Sequence, residues 1–168
     1  MPENKITFRP MTRGDWPRVA AIFKEGIETH NATYDRDIPS WEQWNADHFP
    51  QCRIIVDVNG EIAGWAALLP ISNRYVFRGV AELSIYLSCK FINRQIGRRL
   101  LAHIIDESEK AGFWMLQSGI FPENKASLRI HEKTGFRLVG RRERIGKMDG
   151  IWRDIVLLER RSKITGYE

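Results

Sequence analysis

The chain has 168 residues, 43% of them hydrophobic, and a formal net charge of +5. That length suits one domain burying roughly two thirds of its unfolded surface, and the composition argues against disorder. The charge suits an anionic ligand but is too mild to require nucleic acid, and no apolar run nears the ~18 residues that span a membrane.

Met1–Lys5 is polar and no apolar leader follows it. Cys52 and Cys89 have neither metal nor redox spacing. Together these features point to a cytoplasmic protein with reduced thiols and no metal.

In chain order, Ile6–Arg9 reads as a first strand. Thr12, with Asp15 three residues on and Trp16-Pro17 in the first turn, opens a helix. Apolar positions 16, 19, 20, 23 and 27 carry it to about Glu28. Thr29–Asp37 is polar and without period. Ser40 followed by Gln43 is a capping box, opening a short helix through Trp41 and Trp44. Arg53–Val58 and Glu61–Leu69 are strands joined at Asn59-Gly60, a strong hairpin signal. A loop with Arg74 and Arg78 leads to a strand, Val80–Leu87. After a polar turn around Gly97, Leu100, Leu101, Ile104, Ile105 and Ser108 share one helix face, and Gly112 fits the stop. Phe113–Phe121 is a strand. Pro122-Glu123-Asn124 starts another helix, ended by Gly135. Phe136–Glu143 and Ile151–Arg160 form a last hairpin around Met148-Asp149-Gly150. The order β-α-α-β-β-β-α-β-α-β-β predicts a mixed α/β sheet with helices on both faces, in a single domain with its core at about 6–160. The unit around Gly97 is a right-handed parallel crossover by default.

The stretch from Ala81 to Leu101 organises the rest. A strand that delivers its end to a helix N-terminus presents unpaired N–H groups and partial positive charge to an anion. Glu82 is a carboxylate on a strand otherwise apolar apart from Ser84.

Three segments carry a resemblance that covers Ile6 to about Glu159. They are AELSIYL at 81–87, RQIGRRLL at 94–101 and NKASLRIHEKTGF at 124–136. This set is similar to the acetyl-CoA-dependent N-acetyltransferase (GNAT) superfamily, nearest to its phosphinothricin / methionine sulfoximine acetyltransferase branch. There the strand glutamate and a histidine in place of the usual tyrosine occur together, and MDGIWRDIVLLER looks like that branch's final hairpin. The resemblance implies a mostly antiparallel central sheet and acetyl transfer from acetyl-CoA to a primary amine of a small amino-acid-like substrate. It also implies a homodimer. One departure stands out. The family's loop pattern, Gln/Arg-x-x-Gly-x-Gly/Ala, falls on Ile92, Gln95 and Gly97, and only Gly97 is kept. A side chain at position 95 removes room for close backbone approach to pyrophosphate, although the backbone N–H groups remain, and Arg94, Arg98 and Arg99 could add charge.

An alkylammonium must lose a proton before it attacks a thioester, and Glu82 is the candidate base, directly or through a water. Within its apolar strand, desolvation is expected to raise its pKa. The competing reading is a structural ion pair with Arg74 or Arg78. His131, seven residues after Asn124, occupies the position of the family's thiolate-protonating tyrosine. It could act as an acid, assist Glu82 as a base, or be a satisfied core histidine. The resemblance implies that the pantetheine arm meets Ile85, Tyr86 and Leu87, with a main-chain N–H near Leu87 polarising the thioester carbonyl. It assigns the pyrophosphate to Ile92, Asn93, Arg94, Gln95, Ile96, Gly97 and Arg98, and further coenzyme contacts to Asn124 and Ser127. Asn124 is equally a plain helix cap, and Ser127 a first-turn residue. Arg74 and Arg78 are candidates for gripping an acceptor carboxylate, with Thr33 and Tyr34 on the far wall. Trp41, Trp44 and Trp65 read as core or dimer packing. Two further readings stand beside this one: a protein, peptide or polyamine N-acetyltransferase, and a non-catalytic acetyl-CoA-binding module.

Overall fold

The computed structural model describes residues 4–168. Eleven main elements follow in the expected order. Strand β1 is Ile6–Pro10, helix α1 Trp16–Glu28, helix α2 Trp41–Asp47, and strands β2 and β3 Ile54–Val58 and Glu61–Pro70. Then come β4 Val80–Leu87, α3 Ile96–Lys110, β5 Met115–Ile120, α4 Lys125–Lys133, β6 Arg137–Met148 and β7 Ile151–Arg161. The seven strands form one sheet in the order β1-β2-β3-β4-β5-β7-β6. Among the described residues only the β4–β5 neighbours are parallel, so the sheet is mixed and mostly antiparallel.

Local chemistry explains the punctuation. Asn59 and Gly60 both have positive φ, as the tight β2–β3 turn demands. The Ser40 side chain accepts from the Gln43 N–H at 3.2 Å while Gln43 returns a bond to the Ser40 N–H, so α2 starts where its capping box puts it. Both α3 and α4 end in Schellman turns. Gly112 (φ +90) and Gly135 (φ +94) take the left-handed position, and the following Phe113 and Phe136 N–H groups reach back to the carbonyls of Ser108 and His131. The start of α1 is held by Arg9, whose guanidinium bonds Asp15 at 2.9 Å and Asp57 at 2.8 Å. A 3-10 turn, Arg13–Asp15, precedes α1, so the first helical residue lies after Asp15 rather than after Thr12.

The sheet separates two cores. On one face Ala81, Leu83, Leu116, Ile120 and Leu158 pack with Ile96, Leu100, Leu101, Ile104 and Ile105 of α3. On the other, Ile55, Trp65, Ala67 and Tyr86 pack with Val19, Ile22 and Phe23 of α1 and Trp44 of α2. Strand alternation therefore sends odd-numbered residues of β4 toward α3 and even-numbered ones toward α1. The last hairpin extends past the expected Glu143. β6 runs on to Met148 through register shifts at Leu138/Gly140 and Arg142/Gly146, with Arg144 at positive φ. Those bulges break the period-two alternation that would have marked a longer strand.

Candidate active site

The site begins where two parallel strands part. β4 and β5 are in register for three pairs only, Val80↔Met115, Ala81↔Leu116 and Glu82↔Gln117. Beyond them β4 stays paired to β3 up to Leu87, while β5 stays paired to β7. The N–H of Ser88 donates to the Ala63 carbonyl on the β3 side. By alternation the backbone groups of Ile85 and Leu87 aim the other way, into the widening gap. An extended chain with amides could pair there as a strand does, which fits the pantetheine arm expected at Ile85–Leu87.

A cavity of about 910 Å³ opens at this gap. Ile85, Tyr86, Asn124, Ser127, Glu82, His131, Thr33 and Tyr34 all line it, so the structure brings together eight of the residues singled out from sequence. Leu87 and the segment Ile92–Arg98 lie outside its wall. In that segment Gln95 caps α3 in the left-handed conformation, φ 59 and ψ 7, and Asn93 also has positive φ. The backbone here thus adopts at Gln95 a shape that glycine usually supplies, with the side chain exposed. Gly97 serves packing: a Cβ there would stand 3.0 Å from Leu87 Cδ1. The segment leading into the loop is anchored to α1. Glu25 accepts from the Cys89 N–H at 2.7 Å and from the Ser88 hydroxyl at 3.3 Å. Burial pushes the Glu25 carboxyl upward, but these donors and Arg18 outweigh it and hold it below its ordinary value.

Glu82 sits on the α1 face at the last shared pair of the parting strands. It is exposed, with Gln117 Nε2 at 3.5 Å from its carboxylate. The apolar cover expected around it is absent. Among the described residues it forms no ion pair, so the structural pairing with Arg74 or Arg78 is not seen.

Arg74 and Arg78, expected to grip an acceptor carboxylate, lie outside the cavity wall. Arg74 lies over the Phe77 ring at 5.4 Å, and Arg78 is sandwiched by Tyr75 at 4.2 Å and Trp114 at 5.1 Å. Among the described residues the one Lys or Arg in the cavity wall is Arg142, at the β6 bulge opposite Ile155. Sequence reading missed it, since only the register of β6 on β7 reveals which face it shares. Against that cation stand four carboxylates, Asp35, Asp37, Asp47 and Glu82.

His131 is 1% exposed. Its Nδ1 lies 2.8 Å from the Ser127 carbonyl, and its Nε2 lies 3.1 Å from the Ser118 hydroxyl. A carbonyl can only accept, so Nδ1 carries the proton and Nε2 of the neutral ring accepts from Ser118. Burial pulls the imidazole below its ordinary value, the carbonyl bond opposing this in part. Asn124 caps α4 by accepting from the Ser127 N–H at 3.2 Å and donates to the Asn31 carbonyl at 3.2 Å, so its amide fastens the segment after α1 as well as the helix. Trp44 and Trp65 are core residues and cavity wall together, and both indole N–H groups are buried without a partner among the described residues. Tyr86, whose phenol burial pushes well above its usual range, fills the space beneath Gly26.

The model of the family described as Acetyltransferase (GNAT) family matches residues 16–136. Phosphinothricin N-acetyltransferase of Streptomyces viridochromogenes is 26% identical over 166 residues, covering 95% of this chain and 90% of that protein. L-methionine sulfoximine/L-methionine sulfone acetyltransferase of Salmonella typhimurium is 28% identical over 106 residues, 63% of this chain. That match spans 62% of the relative, under two thirds of its length. Among solved structures, ribosomal-protein-alanine N-acetyltransferase from Brucella melitensis has a TM-score of 0.84 at 26% identity, covering 93% of this chain and 99% of that one. A phosphinothricin acetyltransferase from Sinorhizobium meliloti in complex with AcCoA shares the fold, with a TM-score of 0.84 at 24% identity over 97% of this chain and 91% of that one.

Proposed function

The chain belongs to the acetyltransferase (GNAT) family, and on that premise we propose that it transfers the acetyl group of acetyl-CoA to the primary amine of a small amino-acid-like acceptor of the phosphinothricin or methionine sulfoximine type. The observation that carries this reading is the parting of β4 from β5 beside Glu82, with Ile85 in the wall of the cavity that opens there. Acetyl-CoA supplies the thioester. Ile85 and Leu87 pair with its pantetheine arm, and the Leu87 N–H polarises the thioester carbonyl. The α3 N-terminus, from Ile92 to Arg98, takes the pyrophosphate. Glu82 removes a proton from the acceptor ammonium through a water, and His131 serves as acid and base. Arg142 is the counter-charge for an acceptor carboxylate, with Thr33 and Tyr34 on the opposite wall.

The relatives named for phosphinothricin and for methionine sulfoximine support the acceptor class. The proposal includes a cytoplasmic homodimer that touches neither nucleic acid nor membrane, with Cys52 and Cys89 as free thiols. Light scattering tests the dimer. The decisive experiment is an acceptor screen with acetyl-CoA, read by release of free thiol. Turnover of phosphinothricin-like amino acids is expected, and their inertness beside an active peptide or polyamine overturns the acceptor class.

A second reading has an observation of its own. Four carboxylates against one cation favour a positively charged acceptor, a polyamine or a basic peptide N-terminus. The same screen, run with polyamines and peptides, separates the two.

A further inference from the structure

Both ring nitrogens of His131 are occupied, Nδ1 by the Ser127 carbonyl and Nε2 by the Ser118 hydroxyl. The Ser127 hydroxyl also stands near Nδ1, at 3.5 Å, but Nδ1 already gives its proton to the Ser127 carbonyl, so a proton entering the neutral ring goes to Nε2 and has one route. That route is Ser118 Oγ, which gives its hydrogen to Nε2 and keeps two lone pairs. Ser118 is 3% exposed and lines the cavity one residue beyond Gln117, the last β5 residue in register with β4. Alternation puts Ser118 with Leu116 and Ile120 on the α3 and α4 face, opposite to Glu82 and Gln117. The two candidate proton carriers thus approach the gap from opposite faces of the sheet.

We propose that Ser118 is a catalytic residue, the hydroxyl through which His131 passes a proton between the reacting groups. This rests on the acetyl-transfer reading. Glu82 first takes one proton from the ammonium on its own face. As the amine lone pair forms the new C–N bond, the nitrogen's surplus proton moves to Ser118 Oγ, and the proton already on Oγ moves to Nε2. His131 becomes an imidazolium. When the C–S bond breaks, its electron pair goes to sulfur. Nε2 then returns its proton to Oγ, and Oγ gives one to the thiolate. The net transfer is one proton from nitrogen to sulfur, with the Ser118–His131 pair restored. The near neighbours of the ring are Ser127 and Phe136 on the α4 side and Ser118 on β5. No charged side chain contributes to the imidazole's shift, so the ring can gain and lose a proton without breaking an ion pair.

The test uses the full chain with Ser118→Ala, Ser118→Thr, His131→Asn and the double variant Ser118→Ala/His131→Asn. Expected is a fall in kcat of about 10–100-fold for Ser118→Ala, with both KM values within twofold, and recovery in Ser118→Thr, which keeps the hydroxyl. The double variant should be no slower than His131→Asn alone. Imidazole ¹⁵N NMR of the free protein should show Nδ1 protonated, and Nε2 as an acceptor whose resonance moves in Ser118→Ala. Wild-type kcat in Ser118→Ala, or losses that multiply in the double variant, overturn the proposal. If the wild type acetylates no amine at all, the acetyl-transfer reading fails by itself. The spectrum still decides the pair, since Nε2 found protonated in the neutral ring refutes it.

Discussion

The Tyr34 hydroxyl donates to the main-chain carbonyl of Arg153 at 3.0 Å, fastening the polar segment after α1 to β7 on the far half of the sheet. The Arg153 guanidinium completes the clasp by donating to the His30 carbonyl at 2.8 Å and to Asn31 Oδ1 at 3.0 Å, while lying 4.0 Å over the Phe121 ring. Removing the donors while keeping the stem, as in Arg153→Met, should loosen the wall that carries Thr33 and Tyr34. We expect the acceptor KM to rise about tenfold and the acetyl-CoA KM to stay within twofold in steady-state kinetics, with stability down by about 1–2 kcal/mol. Equal rises in both KM values would refute a role confined to the acceptor wall.

Gly146 leaves the room in which Tyr34 sits. A Cβ at that position would stand 2.6 Å from Tyr34 Cε1, and the ring is tethered by its hydroxyl. Gly146→Ala should cost about 1–3 kcal/mol in urea denaturation. In a Tyr34→Leu background the penalty should shrink by at least half. A penalty unchanged in that background would locate the strain elsewhere.

Stability should fall with acid in a window set by His131 and His48. Burial lowers the pKa of both below the ordinary value near 6.5. A base with a depressed folded-state pKa leaves stability complete above the unfolded value. Stability is then lost as pH falls from about 6.5 through the lowered folded values, because the unfolded chain binds the protons first. Urea midpoints between pH 8 and pH 5 should decline, and the decline should be shallower in His131→Asn. Identical slopes in wild type and variant would exclude His131 from the effect.

Gln95 holds a left-handed conformation in the segment assigned to pyrophosphate. That geometry costs a non-glycine residue about 1–2 kcal/mol, offset in Gln95→Gly by the greater freedom of the unfolded chain. The variant should fold with stability equal to wild type or up to ~1 kcal/mol greater. Calorimetry should find acetyl-CoA bound at least as tightly. Weaker binding would mean that the glutamine side chain itself holds the ligand.

Arg142 discriminates between acceptor classes. Arg142→Met should raise KM about tenfold for amino acids while leaving their carboxamide analogues unchanged, a difference of about 1.4 kcal/mol. If the acceptor is a polyamine, removing the cation should lower KM instead. Activity indifferent to this change on both substrates would remove Arg142 from the site.

The fold was legible because its signals are local: Asn59-Gly60, the Ser40–Gln43 box, and the glycine stops at 112 and 135 each act within a few residues. Of the site, Glu82 stood out as a carboxylate on an apolar strand and His131 through the family resemblance, and both line the cavity. Ser118 was not, since a lone serine in a strand gains meaning only when α4 lays a histidine 3.1 Å from it. Arg142 was hidden by the β6 bulge, where alternation no longer tells which face a residue joins. Arg74 and Arg78 lie outside the cavity wall for the opposite reason. Their nearness in sequence to Glu82 does not survive the 3-10 turn at Tyr75–Phe77, which lays them on aromatic rings.

The three-pair join between β4 and β5 is also the narrowest hydrogen-bonded seam of the sheet. A coenzyme laid along Ile85 and Leu87 would act as a missing strand, bridging halves that the protein itself barely stitches. Ligand at 100 times its dissociation constant adds about 2.7 kcal/mol of resistance to unfolding, and amide exchange along Met115–Ile120 should slow most. Limited proteolysis of the chain should then be slower with acetyl-CoA present than without it.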